Sequence, residues 1–259
     1  MLTREQLIEK YCPTFYFDKN EEYLPITFEE FLNNSTVHYG DLNHAKHTIL
    51  YNIGEATWDN IIEHKVLNKK TLFNKNFKIN VGPEDCKGNK KNIGPIYALT
   101  KASKQISQIT YFFICSFNLG SHMTDTNDSK FSIGFISIFV NNKTQKAQKI
   151  FYSLCGTEKG IWKKYSKPIK VFVSKGNHSC YPCNGLWRRE KAVEKVRGTI
   201  KLDKSKLLIC SGNEHVFKFR GHFVLNGDFK FEQLPFMNRL IEESENYVKK
   251  VNRKKLLCF

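Results

Sequence analysis

Apolar residues in this chain alternate along short runs more often than they recur at helical spacing. In residues 166–185, SKPIKVFVSKGNHSCYPCNG, Ile169, Val171 and Val173 alternate with Lys170, Phe172 and Ser174, which predicts a strand. Lys175-Gly176-Asn177 is a turn-forming run that ends it. Further strands are predicted over 15–17, 77–81, 96–100, 109–117, 131–140, 149–154 and 206–210, with a pair at 216–219 and 222–225 around Arg220-Gly221. The run FSIGFISIFV at 131–140 reads as a long strand buried on both faces.

Helical signals are fewer. Thr3-x-x-Gln6 forms a capping-box pattern for a short helix through Lys10, and Thr27-x-x-Glu30 opens a second with Phe28, Phe31 and Leu32 on one face. The aromatics at 15–17 and 28–31 are assigned to the core. A mixed-charge helix is predicted over 189–196, and a closing helix over about 235–252 places Phe236, Leu240, Ile241 and Val248 near helical spacing. Residues 33–94 are weakly periodic apart from the strand at 77–81. The spacing of turn signals predicts a mainly β (α+β) fold: a β-sandwich with short peripheral helices and a C-terminal helix. It is read as one domain over 1–259, with 1–33 as a strand-and-helix lead-in and 235–259 as a basic helical end.

Composition sharpens this picture in one direction. Hydrophobic residues make up 41% of the 259, enough for a sizeable core, and no run is long and apolar enough to predict a transmembrane helix. The charged opening MLTREQLIEKYCP has no apolar stretch of the signal-peptide kind, so a cytoplasmic location is expected, with most of the eight cysteines reduced. Lysine and arginine number 41 against 25 acids, a formal charge of +16. That favours an anionic partner: an acidic protein, an acidic membrane surface or nucleic acid. A solvated lysine surface on a compositionally biased chain accounts for the same numbers.

The densest cluster of chemically capable side chains follows the turn at 175–177. His178, Cys180 and Cys183 offer three zinc ligands, with Cys155, Cys210 or His215 as a fourth. Cys180-Tyr181-Pro182-Cys183 has thiol-redox spacing, but the turn-forming Asn184-Gly185 follows it, not a helix. His178 is also a candidate base for a Cys180 or Cys155 nucleophile, with no orienting group visible in the sequence. The plainer expectation is no cofactor: His178 and Tyr181 hydrogen-bond inside a structural loop and the cysteines are incidental. His38, Asp41, His44 and His47 form a second polar group without a recognised ligand pattern. Trp187, Arg188, Arg189 and Lys191, with Lys195 and Arg197, make a basic patch able to contact phosphates, as does the basic C-terminal end. No P-loop, dinucleotide fingerprint, kinase set or serine-hydrolase order is present.

Three blocks, in this order, resemble the Vps62-like (vacuolar protein sorting-associated protein 62) family. They are YCPTFYFDKNEEYLPITFEEFL, then Pro95–Tyr97 with ITYFFICSFNLG, then VFVSKGNHSCYP. The family carries a G-D-W-E-H-V strand, similar to the H-D-W-E of necrosis-inducing toxins. The matching positions here hold Ser132, Ile133, Gly134 and Phe135, and Cys155 stands where a second family histidine would. The resemblance thus implies that His178 alone survives of the polar set, with no carboxylate beside it, and that any metal or acid–base role is lost. The expected function is a non-enzymatic structural or interaction module with a degenerate polar site and an acidic partner, such as a virion component or a trafficking-related protein. The alternatives are a metal-dependent hydrolase or lipid-headgroup binder using His178, and nucleic-acid binding through the basic surface.

Overall fold

The computed structural model describes residues 2–39, 48–63, 77–81, 88, 90–116, 132–154, 160–185 and 195–212. In chain order the elements are α1 (Arg4–Tyr11), β1 (Thr14–Asp18), α2 (Phe28–Asn33), β2 (Ser35–Tyr39), β3 (Thr48–Tyr51), α3 (Trp58–Glu63), β4 (Phe77–Val81), β5 (Ile96–Ala102), β6 (Ile106–Cys115), β7 (Ser132–Asn141), β8 (Ala147–Ser153), β9 (Gly160–Lys164), β10 (Lys170–Val173), β11 (Cys180–Tyr181), β12 (Thr199–Leu202) and β13 (Leu207–Ile209). Both capping boxes form as their sequences predict: Thr3 with Gln6 at α1, and Thr27 with Glu30 at α2.

The strands make three sheets. The central one has six strands in the order β13-β5-β6-β7-β8-β9, and a four-stranded sheet has the order β11-β10-β1-β12. A small third sheet is ordered β3-β2-β4. The central pair explains the layering. On β6 and β7 nearly every residue is buried, so both faces of this hairpin must be covered. Tyr111, Phe113, Cys115, Ile136 and Ile138 project to one face and pack with Phe15, Phe17, Val171 and Val173 of the four-stranded sheet. Phe112, Ile114, Ile133, Phe135 and Phe139 project to the other and pack with Phe28, Phe31, Trp58 and Ile61 of the helices and Val37 and Ile79 of the third sheet.

The predicted β-sandwich is therefore present, with a further layer of sheet and helix on its second face. That layer comes from the stretch whose pattern was weakest: β2, β3 and α3 gave no clear periodicity. The short β9 and β12 were not predicted either. β9 is an edge strand in which Ile161 is the buried residue of an otherwise partly or fully exposed run. One core assignment needs correcting. Phe15 and Phe17 are fully buried, but Tyr16 points to the opposite, outer face of its sheet and is only half-buried. Alternation along a strand demands this. Of the predicted helix at 189–196, Lys195 and Val196 are described and are not helical. The strand pair at 216–225 and the closing helix at 235–252 lie outside the described residues. Among the described residues no helix is long and apolar enough to cross a membrane.

Gly134 sets the spacing between the two large sheets. It sits opposite Phe113 in the β6–β7 ladder. A Cβ there would overlap the Phe113 ring and lie 2.9 Å from the carbonyl oxygen of His178. Gly134→Ala is expected to lower stability by about 1–3 kcal/mol through overpacking. Urea denaturation would show a lower midpoint; an unchanged midpoint would mean that the Phe113 ring yields freely.

Candidate functional site

β10 and β11 are joined by a tight loop that closes on itself. Ser174 N–H donates to the Ser179 carbonyl at 3.0 Å, and His178 N–H to the Ser174 carbonyl at 3.2 Å. Ser179 N–H also reaches Ser174 Oγ at 3.1 Å and Asn177 Oδ1 at 3.0 Å, while the Ser174 hydroxyl donates to Asn177 Oδ1. Two residues take left-handed backbone angles, Gly176 at φ +78° and His178 at φ +55°. Glycine does so freely. Histidine is among the few other residues enriched there, at a modest steric cost.

That turn drives the His178 ring inward, where it has no solvent exposure. Its Nε2 lies 3.0 Å from the Tyr23 carbonyl oxygen and its Nδ1 3.1 Å from Ser132 Oγ. A carbonyl oxygen only accepts, so Nε2 must carry the hydrogen. In the neutral ring Nδ1 then accepts from the Ser132 hydroxyl. The Phe113 ring meets the imidazole edge-on at 6.3 Å between centroids.

The expectation of a histidine without a carboxylate is overturned. Glu21, 3% exposed, places Oε1 3.8 Å from His178 Nε2. At that distance the contact is electrostatic, and the imidazole hydrogen bond goes to Tyr23. Glu21 is itself saturated by the backbone: Oε1 accepts from the N–H groups of Glu22 and Tyr23, both at 3.0 Å, and Oε2 from Gly176 N–H at 2.8 Å. Burial alone would raise this carboxyl group's pKa. The neighbouring imidazole and the Gly176 and Tyr23 N–H groups outweigh burial and hold it below its ordinary value. Reading the sequence missed Glu21 because its partner lies more than 150 residues away. The available signal was an acidic pair inside an otherwise aromatic block. Ser132 occupies the position where the resemblance puts an aspartate, and it still touches His178.

Cys180 is fully buried, its Sγ 3.9 Å from the His178 carbonyl oxygen, whereas Cys183 is exposed. The two cysteines therefore face different environments, and neither occupies a helix N-terminus, where a thiolate would be stabilised. The nearby Cys115 thiol is pushed well above its ordinary range by burial, with Glu21 and Cys180 adding to the effect. Tyr181 is 5% exposed and pairs with Phe172 across β10 and β11. His178, Cys180 and Tyr181 are thus brought together as buried side chains. Cys155 and the patch of Trp187, Arg188, Arg189 and Lys191 lie outside the described residues, as do Asp41, His44 and His47. Among the described residues no group of three or more His, Cys, Asp or Glu is placed to hold a metal ion. An open cleft of about 290 Å³ is lined by Glu30, Ile93, Pro95, Lys206 and Leu208 among others, and none of the His178 cluster reaches it. Glu30 there is engaged by the cap of α2, accepting from Thr27 N–H at 2.7 Å.

No family model matches the chain, and no curated protein matches it. Among solved structures, a chain described as NLPPya in complex with mannosamine matches with 7% identity and a TM-score of 0.37, over 78% of this chain and 71% of that one. A likeness of that size assigns neither fold nor function.

The Glu21–His178 cluster has a pH signature. Because the folded carboxyl binds its proton less readily than the unfolded one, its contribution to stability is complete above the ordinary value of 4.5 and is lost as pH falls below it. The denaturation midpoint of the natural chain is expected to drop through that acid range, and that of Glu21→Gln to start lower and fall less. Parallel profiles would refute the assignment. Elemental analysis of the purified protein is expected to find less than about a tenth of an equivalent of zinc, because His178 and Cys180 are enclosed while Cys183 faces solvent.

Proposed function

We propose that this chain is a non-enzymatic interaction module of Vps62-like ancestry that binds an anionic partner, a role suited to a particle component or a trafficking assembly. The supporting observation is the state of the His178 cluster. A general base must reach the proton it removes. His178 is enclosed, both ring nitrogens are engaged within the protein, and the adjacent carboxylate is tied to three backbone N–H groups. The cluster holds the β10–β11 loop, β7 and the segment after β1 together. The net charge of +16 supplies the affinity for anions.

One observation favours the alternative in which His178 acts on a substrate or headgroup: the Glu21 carboxylate 3.8 Å away resembles an orienting partner. The two readings separate with one variant. On an anionic heparin matrix the natural chain is expected to be retained at low salt and released as ionic strength passes the physiological range. His178→Ala is expected to lower stability by about 1–3 kcal/mol, by stranding buried partners, and to leave retention unchanged. Absent or salt-independent retention of the natural chain would refute the anionic-partner reading.

A further inference from the structure

The outer face of the four-stranded sheet carries a row of side chains that runs from exposed Lys201 to buried Tyr181. Strand register places Lys201 of β12, Tyr16 of β1, Phe172 of β10 and Tyr181 of β11 in line across the sheet. The Tyr16 and Phe172 rings are stacked, with centroids 5.2 Å apart and planes 20° apart. Lys201 Nζ stands 5.8 Å from the centre of the Tyr16 ring. The adjoining row pairs Thr14 with Lys170. Both lysines are exposed, both stacked rings are half-buried, and Tyr181 closes the row at its buried end. Asp18 is the one acid in these four strands. It is 8% exposed and engaged by the N–H groups of Asn20 and Arg197. Among the described residues of these four strands the face is therefore cationic and aromatic, with no exposed carboxylate.

We propose that this face is a stacking platform for single-stranded nucleic acid, which rests on the reading of the chain as a module for an anionic partner. Lysines alone would serve any polyanion. Half-buried rings flanked by exposed lysines fit a polymer that alternates flat apolar bases with phosphates. Lys170 and Phe172 lie two residues apart on one strand, roughly 7 Å, so a charge and a ring are offered side by side. A flat sheet face presents its rings to unpaired bases and cannot do so to bases stacked inside a duplex. The cation–π contact of Lys201 is an exposed one and gives way readily to a base and its phosphate.

The test uses the full-length chain and a fluorescein-labelled oligothymidylate of about 20 nucleotides, followed by anisotropy at low and physiological salt. Binding is expected at low salt and is expected to weaken as salt rises. Lys170→Glu with Lys201→Glu is expected to weaken it about tenfold or more, and Tyr16→Leu about fivefold, at unchanged melting temperature. Lys143→Glu with Lys146→Glu, exposed in the β7–β8 turn of the six-stranded sheet, carries the same charge change on the other sheet and is expected to leave binding nearly unchanged. Equal losses from both charge-reversed pairs would overturn the proposal, as would a Tyr16→Leu variant that binds like the natural chain or a duplex bound as tightly as the single strand. Heparin and phosphatidylserine vesicles run in parallel separate the two readings. If either is bound through Lys170 and Lys201 while the oligonucleotide is not, this inference fails and the broader one stands. If no polyanion binds, both fail.

Discussion

The pairing of β6 with β7, from Ile106 opposite Asn141 to Cys115 opposite Ser132, is the constraint on which the layers depend. Both strands are apolar on both sides, so neither face of their hairpin can be left to water. One face is covered by the four-stranded sheet, the other by α2, α3 and the small sheet. The same demand fixes the ends of the chain segments around it. Tyr111 donates from its hydroxyl to the Ile8 carbonyl at 2.6 Å, tying α1 to the ladder. Arg4 reaches Thr100 and the Cys210 carbonyl, so α1 also ties β5 to the residue that follows β13.

Polar groups admitted to such an interior must be satisfied there, and the two faces meet this demand differently. On the face towards the four-stranded sheet, Ser132, His178 and Glu21 find partners in one another and in the backbone. A fully satisfied cluster of this kind rigidifies the loop that carries it. On the opposite face, Gln108, Thr110 and Ser137 form a smaller triad, with Thr110 and Ser137 hydroxyls 2.7 Å apart and Gln108 Nε2 within reach of both. Gln108 Oε1 has no hydrogen-bond partner there, which makes this triad the costlier of the two.

The four-stranded sheet divides its aromatics by strand alternation. Phe15 and Phe17 enter the core while Tyr16, between them, joins Phe172 on the outside. The segregation of charge follows the same rule. Lysines occupy outward positions of β10 and β12, and the one acid of the sheet is drawn in beside Arg197 N–H. The sheet thus separates an enclosed polar cluster on one side from a face with exposed lysines on the other.

Local chemistry was enough for the sequence to determine several elements. Capping boxes act within four residues, so α1 and α2 could be read directly from Thr3 with Gln6 and Thr27 with Glu30. Period-two alternation and the long, mostly apolar run at 131–140 were enough for β7, β10 and the β-rich class. β2, β3, β9 and β12 could not be read so, because strands this short take their identity from the neighbours they pair with. The site divides in the same way. The turn at 175–177 and the clustering of His178, Cys180 and Tyr181 just after it follow from nearby residues. The Glu21 carboxylate and the Ser132 contact were decided by the tertiary structure alone. They depend on which strands become neighbours, and burial of the β6–β7 ladder selects those neighbours across more than a hundred residues of chain.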